Sequence, residues 1–229
     1  MPSVKPNSTI SEYQDFVQQV YGLHNMRNYS VGNLLTNTQR FAMRGLKGIR
    51  KKDREKTKIN LLLSLSWLMS IMNHLHIQIE DEIWSRFPYL CSYCSTCPCS
   101  CKEKKVKKRK SIPNNVKALK PATLSDFQKM FRRIYPPEER SLEHGGIHLA
   151  EELGEFSESV LTFRGQHKEE DFDKISKEAA DLYSCLMGVF NSIEVDVSKE
   201  LSTLFSNDCH VCKNAPCTCS FDFVAKFKF

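Results

Sequence analysis

Apolar residues recur with a helical period through most of the chain. In "SDFQKMFRRIY", Phe127, Met130, Phe131 and Ile134 fall on one helix face, and Ser125 stands where a cap is expected. "GIHLAEELGEFSESVLTF" places Ile147, Leu149, Leu153, Phe156, Val160 and Leu161 on a broad face. "DKISKEAADLYSCLMGVFNSI" does the same with Ile175, Ala179, Leu182, Leu186 and Val189, and "DVSKELSTLF" predicts a short last helix. The longest apolar run, Ile59 to Ile77, is broken by Asn60, Ser64, Ser66, Ser70 and Asn73 and barely reaches the length of a bilayer span, so it reads as a buried helix. Only the tail "FDFVAKFKF" (221–229) alternates, which predicts an edge strand or a peptide arm. The pattern as a whole predicts an all-α bundle protein.

The chain also repeats itself. "CSYCSTCPCSC" and "CHVCKNAPCTC" share the spacing C-x2-C-x4-C-x-C at a constant offset of 118, with Cys97 extra and opposite Ala215. The same offset carries Leu68, Met69, Asn73, Glu82 and Phe87 onto Leu186, Met187, Asn191, Glu200 and Phe205. Further upstream the phase shifts by a few residues, with "ISEYQDFVQQVY" (10–21) echoing "LSDFQKMFRRIY" (124–135). The expected organisation is a helical repeat over 1–101, a basic linker over 102–122, and a second repeat with a tail over 123–229. Each repeat is expected to hold four helices and to end in a cysteine knuckle.

Charge and cysteine content add candidate chemistry. The net charge of +6 is concentrated in "KEKKVKKRK" (102–110), which holds seven basic residues and one acid. That is the composition of a solvated linker, with a nucleic-acid contact or a localisation signal as the alternatives. The N-terminus lacks the apolar core of a secretion signal and no membrane anchor is expected, which favours a cytoplasmic protein. In that setting, nine of ten cysteines in two tight groups read as metal ligands before disulfides. Cys91, Cys94, Cys99 and Cys101 can close one tetrahedral zinc site, and Cys209, Cys212, Cys217 and Cys219 a second. Four thiolates leave no open position, so both zinc ions are expected to be structural. Cys97 is a spare ligand or free thiol, and Cys185 a core residue.

Acidic residues mark a further site. Glu152 and Glu155 are three residues apart, as are Glu178 and Asp181, so each pair shares a helix face with apolar neighbours. Facing one another, the four carboxylates would repel unless a hard cation such as Mg²⁺ lay between them. On spacing alone, a metal site and a charged surface both remain open.

"EELGE" followed, after 22 intervening residues, by "EAAD" resembles the E-E-x-x-E … E-x-x-D signature of the MazG-like, all-α nucleoside triphosphate pyrophosphohydrolases. The resemblance covers about 95 residues of the second repeat, with its specific core in about 50 of them. It implies that Glu152, Glu155, Glu178 and Asp181 bind Mg²⁺ or Mn²⁺, and that Glu152 or Glu155 serves catalysis by orienting or deprotonating a water. It implies a nucleoside triphosphate substrate, cleaved between the α and β phosphates to a monophosphate and pyrophosphate. Asn191 matches a family position near the nucleotide, although a cap or turn role is the alternative, and Arg164 and Lys168 are candidate phosphate contacts. The family's usual homodimers imply that two fused repeats form a pseudo-dimer within one chain, with further pairing of chains possible.

The first repeat lacks this chemistry. The offset of 118 sets Asn60 opposite Glu178 and Leu63 opposite Asp181, and "YSVGNLLTNTQRFAMRG" (29–45) contains no acid. It reads as a silent copy that keeps the fold. The alternative to an enzyme is a nucleotide-sensing or zinc-knuckle interaction protein, binding nucleotide or nucleic acid without turnover.

Overall fold

The computed structural model of the protein describes residues 2–104, 108–111 and 119–228; parts of the basic segment and of the interdomain stretch expected from the sequence lie outside the described residues. The architecture is all-α, with no strand among the described residues. The first half holds α1 (Ile10–Asn28), α2 (Val31–Arg50), α3 (Arg54–His74) and α4 (Ile79–Arg86), then the first cysteine group and the short α5 (Cys101–Lys104). The second half holds α6 (Leu124–Ile134), a 3-10 turn (Pro137–Glu139), α7 (Leu142–Gln166), α8 (Glu169–Ser192) and α9 (Val197–Leu204), then the second cysteine group and α10 (Phe221–Lys226).

Local chemistry sets these boundaries. Thr9 accepts from the Glu12 N–H while Glu12 accepts from that of Thr9, closing a capping box at α1. At α6 the cap is Thr123, not Ser125: Thr123 has extended backbone and its hydroxyl accepts from the Asp126 N–H at 3.1 Å. Helix α3 is the apolar run, buried from Thr57 to Met72 on nearly every face against α1, α2 and α8. Gly48 lets α2 turn tightly onto α3, because a Cβ there would lie 2.7 Å from the Thr57 backbone nitrogen. No helix among the described residues is long and apolar enough to cross a membrane.

One buried polar clamp occurs in both halves. Gln14 donates through Nε2 to Asn73 Oδ1 at 3.0 Å and to the Ile77 carbonyl at 2.8 Å, and its Oε1 accepts from the Ile79 N–H. Gln128 donates in the same way to Asn191 Oδ1 at 3.1 Å and to the Val195 carbonyl at 2.6 Å, and its Oε1 accepts from the Val197 N–H. In each half the asparagine amide donates back to the glutamine carbonyl. The clamp ties the first helix to the turn before the last and satisfies buried groups that water cannot reach.

The two cysteine groups are exchanged between halves. The Cys99 N–H donates to the carbonyl of Ile134, at the end of α6, at 2.8 Å. The Cys217 N–H donates to that of Val20, in α1, at 2.7 Å. Phe87 meets Tyr135 edge-on at 6.4 Å, and Phe205 meets Tyr21 edge-on at 6.3 Å. Each loop thus docks on the first helix of the other half.

The tail departs from the expected strand or arm. Ser220 caps a helical turn by accepting from the Phe223 N–H at 3.2 Å, and Phe223, Val224 and Phe227 border an apolar cavity with Phe41, Leu63 and Trp67. Alternation over so few residues is a weak signal, and a serine cap outweighs it.

Replacing Gln14 or Gln128 by Ala should lower stability by about 2–3 kcal/mol, because each strands buried backbone and amide groups. Denaturant unfolding should show a lower midpoint for both variants; an unchanged midpoint in either would show that its clamp contributes nothing.

Candidate metal centre

Helices α7 and α8 run side by side and bring together Glu152 from the middle of α7 with Glu178 and Asp181 from one face of α8. One oxygen from each lies within 4.8 Å of the others, a spacing at which a single cation could be held. Glu178 and Asp181 are only 8% and 4% exposed. The Oε2 atoms of Glu152 and Glu178 are buried with no hydrogen-bond partner. Such atoms are costly unless a cation or proton meets them.

The electrostatics follow from that crowding. Burial, then the charges of Asp181, Glu155 and Glu178, pushes Glu152 up to about 8. Burial raises Glu178 as well, with Asp181 adding to the effect. Burial raises Asp181 to about 6 even though Arg109 pulls it down. Glu155 is exposed and stands outside the three-oxygen group, so the expected quartet is a trio with a fourth acid nearby.

Two guanidinium groups already face Asp181. Arg86, at the end of α4, donates through Nε at 3.1 Å and Nη2 at 2.6 Å, one bond to each carboxylate oxygen. Arg109 donates through Nη2 at 3.0 Å. Arg86 and Arg109 are 18% and 39% exposed at the side chain, against 5% for Asp181. Neither was a candidate from the sequence: Arg86 sits in an ordinary amphipathic helix and Arg109 inside a charge run. Their role depends on α4 packing against α8 and on the path of the chain after the first cysteine group, which no local pattern encodes.

Glu152 and Asp181 help to wall a cavity of about 250 Å³. Facing them are Phe87, Tyr93 and Tyr135, cysteines of the first group, and the cations Arg109 and Arg140. His148 also lines it, one turn before Glu152, with Nδ1 3.0 Å from Glu151 Oε2. Burial, then the nearby His144, holds the His148 imidazole below its ordinary value.

The three residues expected at the substrate do not meet the trio. Asn191 lies ten residues beyond Asp181, about 15 Å along α8, and both ends of its amide are engaged by Gln128. Arg164 is twelve residues beyond Glu152, about 18 Å along α7, beside Gly32 of α2. Lys168 is the exposed residue before α8. Helical rise carries all three away from the carboxylates.

At the two positions that the 118-residue offset sets opposite Glu178 and Asp181, the first half carries no acid. Asn60 turns its amide onto the Lys56 carbonyl at 2.8 Å, and Leu63 borders the smaller cavity under α10.

Each cysteine group gathers four sulfur atoms within 4.8 Å: Cys91, Cys94, Cys99 and Cys101, and Cys209, Cys212, Cys217 and Cys219. Measured pairs are 3.7 and 4.0 Å apart in the first and 3.6 to 3.9 Å in the second. Four sulfurs at about 2.3 Å from a tetrahedral zinc would be about 3.8 Å apart, and no pair is a disulfide. Backbone N–H groups of Ser100 and Thr218 donate to Cys94 and Cys212 at 3.4 Å, as thiolate ligands require. Each tetrad could therefore hold one zinc ion. Cys97 is exposed, with its sulfur 3.5 Å from the Arg133 carbonyl and apart from the tetrad.

Elemental analysis of the purified chain should find two zinc ions, with stoichiometry falling to one in C94S or C212S; unchanged zinc content in both would exclude the tetrads. A pH prediction follows from Glu152. Its folded form keeps a proton up to about pH 8, whereas the ordinary value is 4.5. The folded state binds more protons across that window, so this contribution to stability is full below pH 4.5 and lost as pH rises through 8. Without added divalent cation, the melting temperature should fall more between pH 5 and 8.5 in the wild type than in E152Q; parallel curves would contradict the buried acid. Compared with protein-family models, with curated proteins and with solved structures, the chain matches none.

Proposed function

We propose that the chain is a Mg²⁺- or Mn²⁺-dependent nucleoside triphosphate pyrophosphohydrolase, built from two MazG-like repeats of which only the second carries chemistry. The observation that carries this reading is the pair of buried, partnerless carboxylate oxygens on Glu152 and Glu178, set with Asp181 around one point beside a cavity. These three side chains would hold the cation, an oxygen-only donor set of the kind Mg²⁺ takes. When bound, the cation supplies neutralisation of phosphate charge and a more acidic water.

The chain's own groups then divide the remaining work. Glu152, which would give up its own proton when the cation neutralises the site, or Glu155 beside it would orient the attacking water and take its proton. Arg109 and Arg140 line the cavity, where guanidinium groups would stabilise charge developing on the leaving pyrophosphate. Phe87, Tyr93 and Tyr135 offer apolar faces to a base or sugar. Water adds across the α–β anhydride, the bridging P–O bond breaks, and monophosphate and pyrophosphate leave. In this reading the two zinc ions hold the exchanged loops, and the halves form a pseudo-dimer in one chain.

A second reading is favoured by the two arginines on Asp181, which partly satisfy the site without a metal. The protein would then bind nucleotide without hydrolysing it. Incubation with each (d)NTP and Mg²⁺ should give monophosphate and pyrophosphate, at rates reduced at least about 100-fold in E178Q and D181N with unchanged circular dichroism. Full turnover in both variants would sink the hydrolase assignment, and nucleotide-induced stabilisation without product would support the second reading.

A further inference from the structure

The chain crosses its own candidate site just after the first cysteine tetrad. Lys110 donates its N–H to the Tyr93 carbonyl at 2.9 Å, and the Ser95 hydroxyl donates to the Lys110 carbonyl at 3.3 Å. These bonds pin the segment to the loop and set Arg109 over the cavity, with its guanidinium on Asp181.

The same crossing occurs in the other half. The offset of 118 that aligns the tetrads carries Arg109 onto Phe227 and Asp181 onto Leu63. Phe227 and Leu63 border one cavity, as Arg109 and Asp181 border the other. In the half without the acidic motif the crossing segment is held by apolar packing and by Arg40 and Arg44, which donate to the Val224 and Phe227 carbonyls at 2.9 and 2.8 Å. In the acidic half the equivalent contact is a charge pair, and a cation can compete for a charge pair.

We propose that Arg109 is a resident counter-ion that occupies Asp181 until a divalent cation takes that carboxylate, and then turns to the phosphates of the ligand. Arg86 holds both Asp181 oxygens and is the more buried of the two guanidiniums, so it stays as the fixed partner. Arg109 makes one bond through one nitrogen and is the more exposed, so it is the one to leave. Its side chain also stacks near Tyr93, with the guanidinium carbon 6.0 Å from the ring centroid, which keeps it at the cavity after release. Binding of the cation thereby removes the Asp181 contact that helps to hold the end of the basic segment, and leaves the Lys110 bonds to Tyr93 and Ser95 as its remaining backbone anchors. The proposal rests on the acidic trio binding a divalent cation, as in the hydrolase reading, but not on turnover.

The test is titration of Mn²⁺ into the zinc-loaded protein without nucleotide, with free Mn²⁺ counted by electron paramagnetic resonance. R109Q should bind Mn²⁺ more tightly than the wild type, on the order of tenfold, because one competitor for Asp181 is gone. In the wild type, Mn²⁺ should also speed trypsin cleavage at 108–110, and D181N should show fast cleavage with or without it. Equal or weaker Mn²⁺ binding by R109Q overturns the proposal, as does cleavage of the wild type that ignores Mn²⁺. If R109Q binds more tightly while no nucleotide is hydrolysed by the wild type, the hydrolase reading fails and the counter-ion stands. Absence of Mn²⁺ binding in both proteins overturns both.

Discussion

The rest of the structure depends on one reciprocal contact: each cysteine loop hydrogen-bonds to the first helix of the opposite half. Cys99 donates to Ile134 and Cys217 to Val20, with Tyr135 and Tyr21 packed edge-on beside them. Because the loops are exchanged, neither half completes its own cavity. The acids on α7 and α8 come from the second half, while Arg86 and Arg109 come from the first half and the segment that follows it. The first half carries none of the three acids, yet with the segment that follows it furnishes two cations and one wall of the site.

The energetics of the trio explain why it needs outside help. Three carboxylates within 4.8 Å and largely out of water cannot all ionise at neutral pH. The protein answers with two guanidiniums on Asp181, while Glu152 and Glu178 keep oxygens with no partner. The charge is therefore balanced only at one corner. That imbalance distinguishes the cluster from an ordinary surface network, where exposed acids are solvated and worth little.

Much of this was legible in the sequence where the signal was local. Helical period located α6 to α9 and the buried α3, and the 118-residue offset aligned the tetrads and the Asn73 and Asn191 positions. Spacing of three residues placed Glu178 and Asp181 on one face. What was not legible was tertiary. The family resemblance set Asn191 near a nucleotide, yet its amide meets Gln128, 63 residues away in sequence. Arg109 was one basic residue among seven, and only the path of the chain after the tetrad singles it out. Glu155 shares a helix with Glu152 but not its depth, a difference of one turn that spacing rules do not resolve.

The exchange of loops has a consequence for assembly. Joining the halves in one chain turns their mutual docking into an intramolecular event, governed by an effective concentration that the connecting segment sets. A break in that segment would leave both loops chemically intact, yet would make completion of the site a second-order process. The acids would then find their arginines only as often as two fragments meet, and the site would answer to protein concentration as well as to its ligands.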